Sequence, residues 1–234
     1  MNEHEEQWLT GFTEGDGSVG LYRVLRVSYA QKERDVLDYI VNLLGKGKIH
    51  ENANNQGTIY KLVYNGHTNC APLIEVFLKH VVGLHTCGRL NAVLECPLAT
   101  SHRPTIDWLT GFFDAEGTSS NMPNLFIAQK ERAVLNSIQE TFGGNIRESY
   151  ESDHQWYVWG LSGNGARELA PELIARSQCS TKKERLFTNF NGPTHYTLHR
   201  EEKRVYNKNY WENHKRVQAY IKEHPEIVGS LEVK

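Results

Sequence analysis

Two carboxylates stand at matching places in this chain, each at the end of a short segment with helical spacing. Leu9-Thr10-Gly11-Phe12-Thr13-Glu14-Gly15-Asp16-Gly17 and Leu109-Thr110-Gly111-Phe112-Phe113-Asp114-Ala115-Glu116-Gly117 both finish on an acid followed by glycine. The pattern predicts that Asp16 and Glu116 close their helices, with Gly17 and Gly117 as left-handed caps. An acid there faces the negative end of the helix dipole, which costs a few tenths of a kcal/mol up to about 1. Gly11 and Gly15, like Gly111 and Ala115, are four apart and share a helix face, so two backbones can approach closely. Helices packed through those faces would add repulsion between the two carboxylates. Divalent cations relieve both costs, and Mg2+ favours hard oxygen ligands, phosphate oxygens among them. Two unrelated surface acids would explain one copy of this arrangement but not the pair.

Such a pair needs two equivalent elements to carry it, and the sequence contains a repeat. Trp8-Leu9-Thr10-Gly11-Phe12 returns as Trp108-Leu109-Thr110-Gly111-Phe112, and Ala30-Gln31-Lys32-Glu33-Arg34 returns as Ala128-Gln129-Lys130-Glu131-Arg132. The offset falls from 100 to 98 between these matches, so two residues are missing from the second copy, which reads as a shortened turn. Apolar positions Val36, Leu37, Ile40 and Leu44 before Gly45 correspond to Val134, Leu135, Ile138 and Phe142 before Gly143, a second helix in each half. Residues 47–52, 58–64, 145–150 and 155–160 concentrate β-branched and aromatic residues around turn signals, as strands do. Each half therefore reads helix, two short strands, helix, two strands, helix, helix. The expected class is α+β, with two pseudo-symmetric αββαββα repeats at residues 1–96 and 105–190. A proline-bounded linker at 97–104 joins them, and an unmatched extension that reads as helical occupies 191–234.

Composition narrows the function. No apolar run is long enough for a transmembrane helix and the acidic start lacks signal-peptide features, so an intracellular protein with no membrane partner is expected, in a prokaryotic cytoplasm or an organelle. The four cysteines form no C-x-x-C pair, which favours buried thiols over a zinc site or disulfide framework. The net charge of −2 argues against indiscriminate adhesion to nucleic acid. A nucleic-acid binder with this balance must gather its basic groups on one face.

The two acidic segments resemble the LAGLIDADG motif, last acid and last glycine intact in both, and the similarity in layout runs over about residues 5–190. That resemblance is to single-chain, two-motif homing endonucleases, and it implies motif helices packed at the repeat interface with two antiparallel sheets forming a saddle over double-stranded DNA. It further implies Asp16 and Glu116 as ligands of catalytic Mg2+, with Mn2+ or Ca2+ able to substitute for binding. Gln31 and Gln129 match a glutamine near the metal hydration shell, and Lys182 or Lys183 a lysine near the water pool. Glu14 and Asp114 fall at the motif's earlier acidic position, which is more often structural. The first half holds no lysine in His85-Thr86-Cys87-Gly88-Arg89, so Arg89, aligned with Arg185, is a weak substitute and unequal cutting of the two strands is expected.

Strand alternation nominates DNA contacts: Ser18, Gly20, Tyr22, Arg26 and Ser28 on one face, and Thr118, Ser120, Asn124 and Phe126 on its counterpart. Lys48, His50 and Asn52 correspond to Asn145, Arg147 and Ser149, and Lys32 and Lys130 stand where phosphate could be met. The resulting expectation is a monomeric, intron-encoded enzyme that makes a double-strand break in a long asymmetric DNA site, leaving short 3′ overhangs. The rivals are an RNA maturase assisting group I intron splicing, with intron RNA as partner, a non-catalytic DNA-binding regulator, and an intein-embedded nuclease. The motif begins close to Met1 and no terminal His-Asn is present, which favours a free-standing protein.

Overall fold

The computed structural model describes residues 1–21, 23–54, 57–95, 101–120, 122–151 and 154–191, and Lys215 alone beyond them. Tyr22, Cys96, the first half of the expected linker (97–100) and the expected C-terminal helix lie outside the described residues. Residues 1–192 form one compact unit and 193–234 a second.

The first repeat runs α1 (Glu3–Asp16), β1 (Gly17–Leu21), β2 (Leu25–Gln31), α2 (Arg34–Leu44), β3 (Ile49–Asn54), β4 (Gly57–Asn65), α3 (His67–His80) and α4 (Leu84–Leu94). The second runs α5 (Ile106–Glu116), β5 (Gly117–Ser120), β6 (Asn124–Gln129), α6 (Arg132–Phe142), β7 (Asn145–Glu151), β8 (His154–Ser162), α7 (Gly163–Arg176) and α8 (Ser180–Asn191). Each repeat forms one antiparallel sheet, in the orders β1-β2-β4-β3 and β5-β6-β8-β7. The two missing residues do not shorten a turn. Both hairpins use a three-residue connection, and β5 and β6 are each one residue shorter than β1 and β2.

Alternation along the strands divides each sheet into two faces. Val19, Leu25, Val27, Tyr29 and Leu62 turn inward beneath α2 and α3, and Leu125, Ile127, Trp159 and Leu161 do the same in the second repeat. Joining the two cores are α1 and α5, so deeply buried that every residue from Trp8 to Thr13 and from Asp107 to Asp114 is enclosed. A Cβ on Gly11 would lie 2.0 Å from the Trp108 carbonyl oxygen, and one on Gly111 would lie 1.9 Å from that of Trp8. Only glycine permits this reciprocal backbone contact. One turn further, a Cβ on Gly15 would meet that of Ala115 at 2.4 Å, so the small residues hold the helices together up to their acidic ends.

Gly17 and Gly117 are not left-handed caps. Their φ/ψ values of −80°/152° and −75°/153° are extended, and each helix passes straight into a strand. Glycine is required for space instead: a Cβ would fall 2.5 Å from Thr13 at position 17 and 2.3 Å from the Phe113 ring at position 117. Gly45, which ends α2 with φ of 65°, is a left-handed cap. No described helix is long and apolar enough to cross a membrane.

Candidate active site

Because α1 and α5 lie against each other and end together, Asp16 and Glu116 meet at the same edge of the molecule. Both are partly buried. Burial raises the Asp16 carboxyl above its ordinary range, while the Gln31 hydrogen bond and the Lys182 charge pull it down. Glu116 is pushed up to about 6, first by burial and then by the negative charge of Asp16, with Gln129 and Lys182 opposing. The two acids thus repel each other across the helix junction, as the helical spacing implied.

Gln31 and Gln129 end β2 and β6 in the same alternation as Tyr29 and Ile127, so they turn toward the helices rather than to the outer face. The Gln31 Nε2 donates to Asp16 Oδ2 at 2.5 Å, and the Gln129 side chain hydrogen-bonds Glu116. Lys182, on the first turn of α8, donates from Nζ to the carbonyls of Ala115, at 3.3 Å, and Gly117. These are the two carbonyls that flank Glu116, so the ammonium offsets the negative end of α5 and acts on both acids.

Glu14 and Asp114 turn away from this edge. Glu14 accepts from the Val82 and Gly83 backbone N–H groups at 2.9 and 2.7 Å, at the entry to α4, and from Trp108 Nε1 at 2.7 Å. Asp114 accepts from Trp8 Nε1 at 3.0 Å, Ser177 Oγ at 2.6 Å and the Gln178 backbone at 2.8 Å. Each motif tryptophan therefore crosses the interface to the other helix's first acid, and each of those acids in turn ties its own motif helix to the last pair of helices in the same repeat. Burial lifts Glu14 to about 7 despite these donors, the backbone pair opposing most.

The halves also differ in the helices behind the acids. Val81 and Ser177 close α3 and α7 through equivalent backbone bonds, to Phe77 and Leu173, so the following residues correspond at offset 96 and Thr86 occupies the place of Lys182. Thr86 hydrogen-bonds Glu14. Arg89 instead borders a recess of about 370 Å³ with Ser18, Gly20 and Leu21. A second recess, of about 400 Å³, opens beside Glu116 and is lined by Gln129, Lys130, Trp156, Glu14, Thr86 and His85 among others. His85 Nδ1 lies 3.2 Å from Glu131 across it.

Among the nominated surface residues, Ser18, Arg26 and Ser28 share the outer face of the first sheet, with Ser18 opposite Ser28. His50 is exposed on β3 opposite Lys61, an outward lysine not nominated from sequence. Lys32 and Lys48 are exposed just outside β2 and β3. In the second sheet Asn124 Nδ2 donates to Ser120 Oγ at 3.3 Å, so these two engage each other at the hairpin end. The Lys130 ammonium sits 4.9 Å from the Trp156 ring centre, and the Arg147 guanidinium 5.8 Å from that of Phe126.

The donor set fits a hard divalent cation. Two carboxylates share an edge, both raised above their ordinary range chiefly by burial, and no group of three His, Cys, Asp or Glu side chains placed to hold a metal ion is found among the described residues. Two carboxylates with water and substrate oxygens form the coordination Mg2+ tolerates, whereas structural zinc draws four protein ligands.

Solved structures share this arrangement of duplicated repeats. The LAGLIDADG meganuclease I-AabMI, determined bound to uncleaved DNA, superposes with a TM-score of 0.58 over 87% of this chain and 92% of its own, at 17% identity. The chain has the LAGLIDADG meganuclease fold. The meganuclease I-SmaMI bound to uncleaved DNA with calcium ions gives a TM-score of 0.52 over 75% of this chain and 85% of its own, at 14% identity. The homing endonuclease I-WcaI on its DNA recognition sequence gives 0.52 over 79% and 86%, at 15% identity. A probable intron-encoded endonuclease, aI2, from Debaryomyces hansenii is 28% identical over 193 residues, covering 69% of this chain. The chain spans 29% of that protein's length. No protein-family model matches the sequence.

Proposed function

We propose that this chain is a monomeric homing endonuclease that makes a double-strand break in a long asymmetric DNA site by Mg2+-dependent phosphodiester hydrolysis, leaving short 3′ overhangs. One observation carries the reading: Asp16 and Glu116 are brought to one edge by a glycine-mediated helix contact, each held by a strand-end glutamine, and both sit above their ordinary carboxylate range. The DNA-bound meganucleases of the same fold, one of them with calcium ions, support DNA and a divalent cation as partners.

Asp16 and Glu116 would hold the cations, which supply an activated water and stabilise the departing 3′ oxygen when bound. Gln31 and Gln129 fix the orientation of the two carboxylates. Lys182 offsets local negative charge next to Glu116 and orders the water around it. Arg26, Lys61, His50, Lys130 and Arg147 supply a basic outer surface for phosphate and base edges on a chain whose net charge is −2.

Asp16→Asn and Glu116→Gln keep side-chain shape and remove a charge that would face the DNA backbone. Each should reduce cleavage of a confirmed target in Mg2+ by orders of magnitude while specific affinity is retained or improved. A gel-shift titration paired with a supercoiled-plasmid assay measures both. Near-normal linear product from both variants would remove these acids from the site and end the proposal.

A further inference from the structure

The two sheets present different chemistry at corresponding outward positions. In the first, Ala30 pairs with Lys61 and Lys61 with His50; in the second, Ala128 pairs with Val158 and Val158 with Arg147. Valine thus replaces lysine at the centre of the face. Ser28 pairs with Ser18, and its counterpart Phe126 pairs with Thr118, so a ring replaces a hydroxyl. Trp156, opposite Ser149, stands where the first sheet has Ile59 opposite Asn52.

Phe126, Val158 and Trp156 are all half-buried rather than covered. The Phe126 ring lies against Gly160, where a Cβ would come within 3.2 Å of it, and the Arg147 and Lys130 cations flank the strip through the rings. Such a cation position is stabilised by the ring quadrupole and leaves the charge available at the rim. Trp156 and Lys130 also line the recess beside Glu116, so the strip is continuous with the candidate active site.

In a major groove the thymine 5-methyl is the one apolar group on a base edge, and apolar side chains are its complement. Resting on the DNA-cutting reading above, we infer that the second sheet recognises its half of the target through thymine methyl groups packed on Phe126, Val158 and Trp156. The first sheet, with Arg26, Lys61 and His50, reads its half through hydrogen bonds.

The test uses the full chain and duplexes recovered from a random pool by binding in Ca2+. Thymines are replaced by deoxyuridine in one half-site at a time, which removes the methyl and nothing else. Replacement in the half read by the second sheet should weaken binding about fourfold per contacted methyl, and replacement in the other half by less than twofold. The double variant Phe126→Ser, Val158→Lys, which installs the first sheet's residues, should lose that sensitivity; the half affected is the second sheet's. If that variant does not fold, Arg26→Ala on the exposed face identifies the other half by its changed base preference. Equal sensitivity of both halves, or of neither, overturns the inference and leaves the DNA reading intact. Failure to recover any preferred duplex overturns the DNA reading, and this inference with it.

Discussion

At the scale of single residues, the two pairs of motif acids divide the work by what surrounds them. Asp114 is buried and Glu14 half-buried, both engaged by backbone, hydroxyl and indole donors, while Asp16 and Glu116 have a glutamine each and a shared lysine. The second pair is therefore a cost to the folded chain while ionised, and a cation would remove it. The sign follows from the direction of the shift. Glu116 rises from 4.5 to about 6, so the folded chain holds its proton more tightly than the unfolded one. Its contribution to stability is fully present below 4.5 and lost as pH rises through about 6. In EDTA, Glu116→Gln should accordingly melt above wild type at about pH 8, with the difference vanishing below the ordinary glutamate value. A difference independent of pH would place the effect in packing rather than charge. Added Mg2+ should narrow the gap by stabilising wild type more than the variant.

At the scale of elements, helix glycines have opposite meanings in different helices. Gly111 faces the Trp8 carbonyl, which is backbone and cannot swing aside, whereas Gly88 in α4 has nothing within 4 Å of a built Cβ. Gly111→Ala should therefore destabilise by at least about 1–3 kcal/mol as the helices are forced apart. Gly88→Ala should stabilise by up to about 1 kcal/mol through helix propensity. Chemical denaturation of both variants reads the two signs, and a stable Gly111→Ala would mean that α1 and α5 do not meet this closely. The close contact was legible because small residues four apart in two copies have few other uses. The extended conformation of Gly17 and Gly117 was not, because it depends on Thr13 and Phe113 packing over them. Nor was the exchange of Trp8 with Asp114 and Trp108 with Glu14, since residues 106 and 94 positions apart meet only once the helix pairing is known. Gln31 and Gln129 could be nominated from the repeated Ala-Gln-Lys-Glu-Arg segment. Lys61, Val158 and Trp156 were missed because the facing of β4 and β8 is set by register with β2 and β6, not by local alternation.

At the scale of the molecule, covalent duplication removes the need for two identical halves, and the chain has used that freedom. The asymmetry reaches the acids themselves, with aspartate in one motif and glutamate in the other, and it reaches the helices behind them, with Thr86 in the position of Lys182. Lys182 donates to the carbonyls on either side of Glu116, while Thr86 is committed to Glu14 and brings no charge. An ammonium near a site where negative charge develops lowers the barrier there, and its replacement by a neutral hydroxyl leaves the paired site slower. The two strands of a bound target should therefore be cut in sequence at different rates. On supercoiled plasmid carrying the target, open circles should appear first and linear DNA later, with the nick confined to one strand when the ends are mapped. Lys182→Gln should slow the faster cut more than the slower one and bring the two rates together. Linear product formed without an open-circular intermediate, or nicks divided evenly between strands, would show that the difference between Thr86 and Lys182 has no kinetic consequence.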